Sequence, residues 1–182
     1  NSWFSIPQTG GVFETGLKTR VALHVAYQVH SDLGYTPGNE ANESVLMLRA
    51  LGVEYIVIHG EGSEEYYRDF KNPNKFEGVL EKVWSEKGDT IYRITPFRYA
   101  HLVRKEEIPT ITIMYGYFKP WIPYVGAMMD TARPELQFEW KNARHARLTG
   151  KFPAGMHVAF AIPWDPNWRA YQNGKPVSLR AN

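Results

Sequence analysis

Along the first half of the chain, apolar positions recur first at the spacing of a helix and then at that of a strand. Val45, Leu46, Leu48 and Leu51 fall near helical spacing, and Gly52 stands where a helix C-terminal glycine belongs. Asn42 or Ser44 is the expected N-cap, with Glu43 in the first turn. Residues 53–59 are then expected as a buried strand, which completes a helix–glycine–strand unit. Ser63, followed by two acids, predicts a second helix over residues 64–71, closed by Pro73. Residues 79–84 and 90–94 flank Glu86-Lys87-Gly88-Asp89 and predict a hairpin. Residues 21–30 fit a strand or a short helix.

After Pro96 the pattern changes. Residues 97–135 hold short apolar runs broken by Pro109, Pro120, Pro123 and Pro134. From Leu136 short extended runs recur at 136–140, 144–149, 157–162, 169–171 and 177–179. Gly150, Pro153-Ala154-Gly155 and Asn173-Gly174 separate them. Asn173-Gly174 is the sharpest local signal, since a type I′ turn needs φ > 0 at both central positions. The fold class expected is α+β: a small α/β layer followed by an antiparallel β-sandwich-like portion. The boundary falls near residues 95–110, giving units 1–100 and 101–182 packed together. The chain stops a few residues into the strand that this turn launches, so it is expected to be a piece of a longer protein.

Composition narrows the chemistry. The 182 residues include no cysteine, which excludes disulfides, a Cys-based zinc site and a thiol nucleophile. Net charge is +2, without long runs of one sign, so nucleic acid is not implied as a partner. No run approaches the roughly 18 apolar residues of a membrane span. Aromatics make up 14% of the chain. Such rings suit a β-rich core and equally a binding face for carbohydrate or a partner.

Three clusters are candidates for chemistry. His59, Glu61 and Glu64 follow a strand and precede the predicted helix, where a His and a carboxylate could do acid–base work. The same acids also fit the charge preference of a helix N-terminus. Trp164, Asp165, Asn167 and Trp168 combine ring faces with hydrogen-bonding groups, the ingredients of saccharide recognition. The alternative is that both rings plug the end of the sandwich. A further aromatic strip, residues 115–124, could contact a membrane interface or pack between the two halves. No metal is expected, because the six histidines include no His-x-His or His-x-x-x-His pair. No Gly-x-Ser-x-Gly elbow or dinucleotide fingerprint occurs, and no cofactor is expected.

Pro7-Gln8-Thr9-Gly10-Gly11, Leu51-Gly52-Val53-Glu54-Tyr55-Ile56-Val57, Gly88-Asp89-Thr90-Ile91-Tyr92-Arg93-Ile94 and the stretch from Ile162 to Val177 together carry a resemblance. They resemble the C-terminal module of YfhO-like polytopic bacterial membrane proteins. These are related to the large lipid-dependent (GT-C) glycosyltransferases, and some are labelled 6-pyruvoyl-tetrahydropterin-synthase-related. The family's loop usually carries Gly before Trp, where this chain has Asn167. The resemblance implies an accessory extracytoplasmic (periplasmic-side) domain at the cell membrane. Its partner would be the membrane-embedded part of the same polypeptide, and the chemistry of the whole would be lipid-linked sugar transfer or cell-envelope glycan assembly. In GT-C-type transferases the catalytic carboxylates lie in membrane-proximal loops outside such a domain. The alternatives are a carbohydrate-binding β-sandwich module using the Trp164–Trp168 loop, and a glycoside-acting hydrolase using His59, Glu61 or Glu64.

Overall fold

A computed structural model of the chain describes residues 25, 27–32, 34, 36–94, 98–109, 119–162 and 165–180. The fold is α+β, with helices packed beside several separate antiparallel ladders. Residues 27–30 form a helical turn, so the helix alternative holds for that part of 21–30. Helix α1, Glu40–Ala50, follows. Its N-cap is Asn39, not Asn42 or Ser44. Asn42 lies inside the helix and donates to the Asn39 side chain at 2.9 Å, while Ser44 Oγ bonds back to the Glu40 carbonyl at 2.8 Å. The C-terminus ends as expected. Gly52 sits at φ +70°, its N–H bonds to Arg49 O at 2.9 Å, and Val53 N–H bonds to Leu48 O at 2.9 Å. That 6→1 and 5→2 pair is a Schellman motif, which satisfies carbonyls the helix leaves open.

The first sheet has strands β1 (Tyr55–His59), β2 (Glu81–Glu86) and β3 (Asp89–Arg93) in the order β1-β3-β2, all antiparallel. Strand β1 is therefore an edge strand, and only Ile56 and Ile58 point into the core. The expectation of a fully buried strand fails because helix α1 covers one face only. Lys87 and Gly88 join β2 to β3 at φ 48° and 85°, the signs of a type I′ turn. Ile56 and Ile58 pack with Val45, Met47 and Leu48 of α1 and with Tyr92, Ile94, Phe70 and Phe76. Phe76 has no exposed surface.

No helix forms over residues 64–71; the chain there is irregular. Eight residues are too few for a helix to stand by propensity alone. This segment offers the core little besides Phe70, whose ring meets the edges of His30 and Phe76. Lys75 fixes the following turn instead. Its buried ammonium donates to the carbonyls of Gln28, Val29 and Ser31 at 3.1, 3.2 and 2.7 Å, capping the helical turn at 27–30.

A strand, a short 3-10 turn at Lys105–Glu107 and a helix fall within 97–135. Strand β4, Ala100–Val103, is buried at all four positions and so lacks the alternation that marks a strand. Helix α2, Trp121–Met129, contains Pro123 in its first turn, where no backbone N–H is needed. Prolines that look like breakers therefore begin a helix. Val125 and Met128 of α2 meet Leu46 and Ala50 of α1.

The remaining strands are β5 (Leu136–Asn142), β6 (His145–Gly150), β7 (His157–Phe160), β8 (Ala170–Gln172) and β9 (Lys175–Val177). They pair β4 with β7, β5 with β6 and β8 with β9. Leu136 and Phe138 of β5 pack against Ala100 and Leu102 of β4 and against Val158 and Phe160 of β7, so two ladders share one apolar seam. Strand β8 begins at Ala170, one residue after the expected run, and Trp168 lies in the preceding loop. Strand β9 starts at Lys175, two residues before the expected run. Arg144 lies in the β5–β6 turn, outside the alternation of β6.

Candidate functional site

His59 ends β1, opposite Asp89 at the start of β3. Its Nδ1 lies 2.9 Å from Asp89 Oδ1. Hydrogen bonds from Ser63 and from His59 hold the Asp89 carboxyl below the usual carboxylate range. An ionised Asp89 assigns the Nδ1 proton to His59, the arrangement of a general base. The nearby hydroxyl is misplaced for that use, because Ser63 Oγ bonds the carboxylate and accepts the Glu65 N–H at 3.1 Å. Gly60 N–H donates to Gly88 O at 2.8 Å, and Arg68 Nη2 donates to Ser63 O at 3.1 Å. The constellation clasps the 60–65 loop onto the β2–β3 turn. Glu61 is exposed, and Glu64 is exposed and paired with Lys87 at 3.2 Å. The structure thus brings His59 to Asp89 and Ser63, and sends Glu61 and Glu64 to solvent.

A second polar cluster lies between β4 and α2, where the sequence gave no motif. Arg133 binds Glu107 through both guanidinium nitrogens, Nη2 to Oε1 at 2.6 Å and Nη1 to Oε2 at 2.7 Å. Nη1 also donates to Leu102 O at 3.0 Å, and Nε to Asp130 Oδ2 at 3.1 Å. The fork-on-carboxylate geometry pushes the Glu107 carboxyl down to about 2. His101 of β4 lies beside it, 5% exposed, with neither ring nitrogen hydrogen-bonded. Burial, then the charges of Arg133 and Arg98, push the imidazole down to about 4. Its ring meets the edge of Tyr124, whose phenol burial pushes up to about 12. The guanidinium makes four hydrogen bonds and the imidazole is sealed, so this cluster ties elements together.

The third region is open. Among the loop residues, Asp165, Asn167 and Trp168 are described and Trp164 lies outside the described residues. Asp165 Oδ1 accepts the Asn167 N–H at 2.7 Å, an Asx turn, and Trp168 N–H bonds to Asp165 O at 3.0 Å. Trp168 is half-buried, with its ring 6.2 Å from Trp140. Trp140 in turn meets Phe138 at 5.2 Å, and Phe138 stacks on Tyr99 at 4.9 Å. A line of rings therefore runs from the β4–β5–β7 seam out to the loop.

It ends at a groove of about 350 Å³ walled by Pro166, Trp168, Arg169, Tyr171, Pro176 and Leu179. That volume lies at the lower end of the roughly 300–1,000 Å³ of small-ligand clefts. Tyr171 is 67% exposed and Trp140 41% exposed. Arg169 Nη1 donates to Pro166 O and Trp168 O, both at 2.9 Å, which fixes the guanidinium on the wall. Trp168 was singled out by the sequence, but Tyr171, Arg169 and Trp140 were not. The signal for Tyr171 was its place two residues before the Asn173-Gly174 turn, where a hairpin side chain has no layer above it.

Among the described residues no three His, Asp or Glu gather as metal ligands, and no helix is long and apolar enough to cross a membrane. No family model, curated protein or solved structure matches this chain.

Proposed function

We propose that this chain is an accessory extracytoplasmic domain of a bacterial integral membrane protein, and that its C-terminal groove binds a glycan presented at the cell envelope. The observation that carries the binding half is the groove on the β8–β9 hairpin, with half-buried Trp168, exposed Tyr171 and two exposed prolines around a fixed guanidinium. Ring faces stack on the C–H faces of pyranoses, and the hairpin and its loop leave donors and acceptors beside them for hydroxyls.

The membrane half rests on the resemblance of residues 51–57, 88–94 and 162–177 to YfhO-like C-terminal modules. On that reading the domain works with the membrane-embedded part of its own polypeptide and positions a glycan or lipid-linked sugar for it. The His59–Asp89–Ser63 clasp favours a structural role over a hydrolytic one, because its hydroxyl is bonded to the acid and not to the base.

Titration of neutral and charged oligosaccharides, followed by calorimetry and NMR, tests the binding half. Tyr171→Ala is expected to abolish binding with thermal stability kept, since Tyr171 is mostly exposed. Binding that survives Tyr171→Ala, or no binding by any glycan, sinks the glycan reading. Turnover of aryl glycosides that disappears in His59→Ala would replace it with the hydrolase. The membrane half predicts several apolar spans of about 20 residues elsewhere in the same polypeptide, which the full coding sequence would show or refute.

A further inference from the structure

We propose that the ligand of the β8–β9 groove is an anionic glycan, one whose sugars carry phosphate or carboxylate groups; this rests on the glycan reading above. The argument is the distribution of charge. The whole chain is nearly neutral at +2. Residues 136–182 hold seven Lys and Arg against only two acids, Glu139 and Asp165, a net +5 that leaves the first 135 residues at −3.

Pairing differs in the same way. Up to residue 135, where acids outnumber bases, five of the basic side chains, Lys82, Lys87, Arg93, Arg98 and Arg133, reach a carboxylate and others, such as Arg68 and Lys75, do not among the described residues. Beyond it the two acids are already engaged. Glu139 pairs with Lys141 at 2.6 Å, and Asp165 closes its own Asx turn. Arg144, Arg147, Lys151, Arg169, Lys175 and Arg180 are all exposed, and none forms an ion pair among the described residues.

One of these six, Arg169, is part of the groove wall. Lys175 and Arg180 are next in sequence to the lining residues Pro176 and Leu179. A net positive charge over this portion of the chain attracts an anion to its surface. Arg169 is also pre-oriented by its bonds to Pro166 O and Trp168 O, so little rotamer freedom is lost when it receives an oxyanion. An aromatic wall that includes a guanidinium with no carboxylate partner among the described residues fits a sugar ring bearing anionic oxygens better than a neutral one.

The test uses the 182-residue chain and matched probes. One pair is phosphomannan and the same mannan after dephosphorylation; the other is oligogalacturonate and its methyl ester. Phosphatidylcholine vesicles with and without phosphatidylglycerol form the third arm. The expected result is that at least one charged glycan binds about tenfold or more tighter than its neutral twin, with affinity falling as salt rises. Which pair shows it identifies the anion. Arg169→Gln should erase most of the difference. Lys175→Ala/Arg180→Ala, which removes no hydrogen bond seen in the fold, should reduce it independently.

Equal binding of charged and neutral twins, still lost in Tyr171→Ala, overturns the anionic inference and leaves the glycan reading standing. Binding to phosphatidylglycerol vesicles but to no glycan overturns both and makes this face a membrane contact. No binding in any arm overturns both as well.

Discussion

His101 and Glu107 lie in one cluster and respond to acid by opposite routes. The imidazole is held down to about 4 by burial, against about 6.5 in an unfolded chain. Between these values the unfolded state binds a proton that the folded state refuses, so stability falls as pH drops from about 6.5 to about 4. The slope from this one group is at most about 1.4 kcal/mol per pH unit. His101→Phe keeps the ring contact with Tyr124 and removes two buried unsatisfied nitrogens. It should leave stability at pH 7 unchanged or raised, and should flatten the slope between pH 4 and 6.5 in urea melts. An unaltered slope would show that the imidazole is not what titrates.

Glu107 is held down to about 2 by Arg133. Its stabilising contribution is complete above the ordinary carboxyl range and is lost as pH falls from about 4.5 towards 2. Glu107→Gln breaks the fork on Arg133 and should cost ~1.5–3 kcal/mol at pH 7. The difference between the variant and the parent should shrink as pH falls below about 4.5 and close only near pH 2, which acid titration of their urea midpoints checks.

At the scale of elements, two glycines in type I′ turns make a controlled comparison. Gly174 has φ +76° and open space where a Cβ would stand; Gly88 has φ +85°, but a Cβ there would collide with Glu61 O and Ser63 N. Gly174→Ala should cost only the left-handed strain, ~1–2 kcal/mol. Gly88→Ala adds displacement of the 60–65 loop and should cost at least about twice as much. It should also separate His59 from Asp89, visible as a shift of the imidazole resonances.

The loop before β8 is the other element-scale test. Trp168 closes the line of rings from Tyr99 through Phe138 and Trp140. Being half-buried, Trp168→Ala should cost up to ~3 kcal/mol, the lower bound for a fully buried Trp. A melting temperature that stays put while glycan binding vanishes would show that the ring serves the ligand alone.

Across the whole molecule, helix α1 joins the parts. Val45, Met47 and Leu48 face the first sheet, while Leu46 and Ala50 face Val125 and Met128 of α2. Helix α2 packs in turn on β4, whose Ala100 and Leu102 belong to the seam of the β-rich portion. Because one helix serves two cores, thermal melts followed by far-UV and near-UV circular dichroism should coincide in a single transition. Two separated transitions would show instead that residues 1–100 and 101–182 unfold as independent units.

What the sequence determined by itself is local. The Schellman end at Gly52, the Lys87-Gly88 and Asn173-Gly174 turns, and the run of short strands from Leu136 all depend on neighbours a few residues apart. Glycine's tolerance of positive φ and the two-residue side-chain period act at that range. The same is true of the mixed α+β class, which follows from the change of period along the chain. What only the tertiary structure decided depends on distant partners. Whether β1 is buried on one face or two was set by the single helix that covers it. Strand β4 exists because β7, more than fifty residues later, supplies its ladder. Residues 64–71 gave up a helix because the core accepted Phe70 and little else. The same division separates the candidate sites. The Trp168 loop announces its chemistry in adjacent residues. Tyr171 and Arg169 join the groove through the local β8–β9 hairpin, whereas Ser63 turns towards Asp89 only when segments far apart in sequence come together.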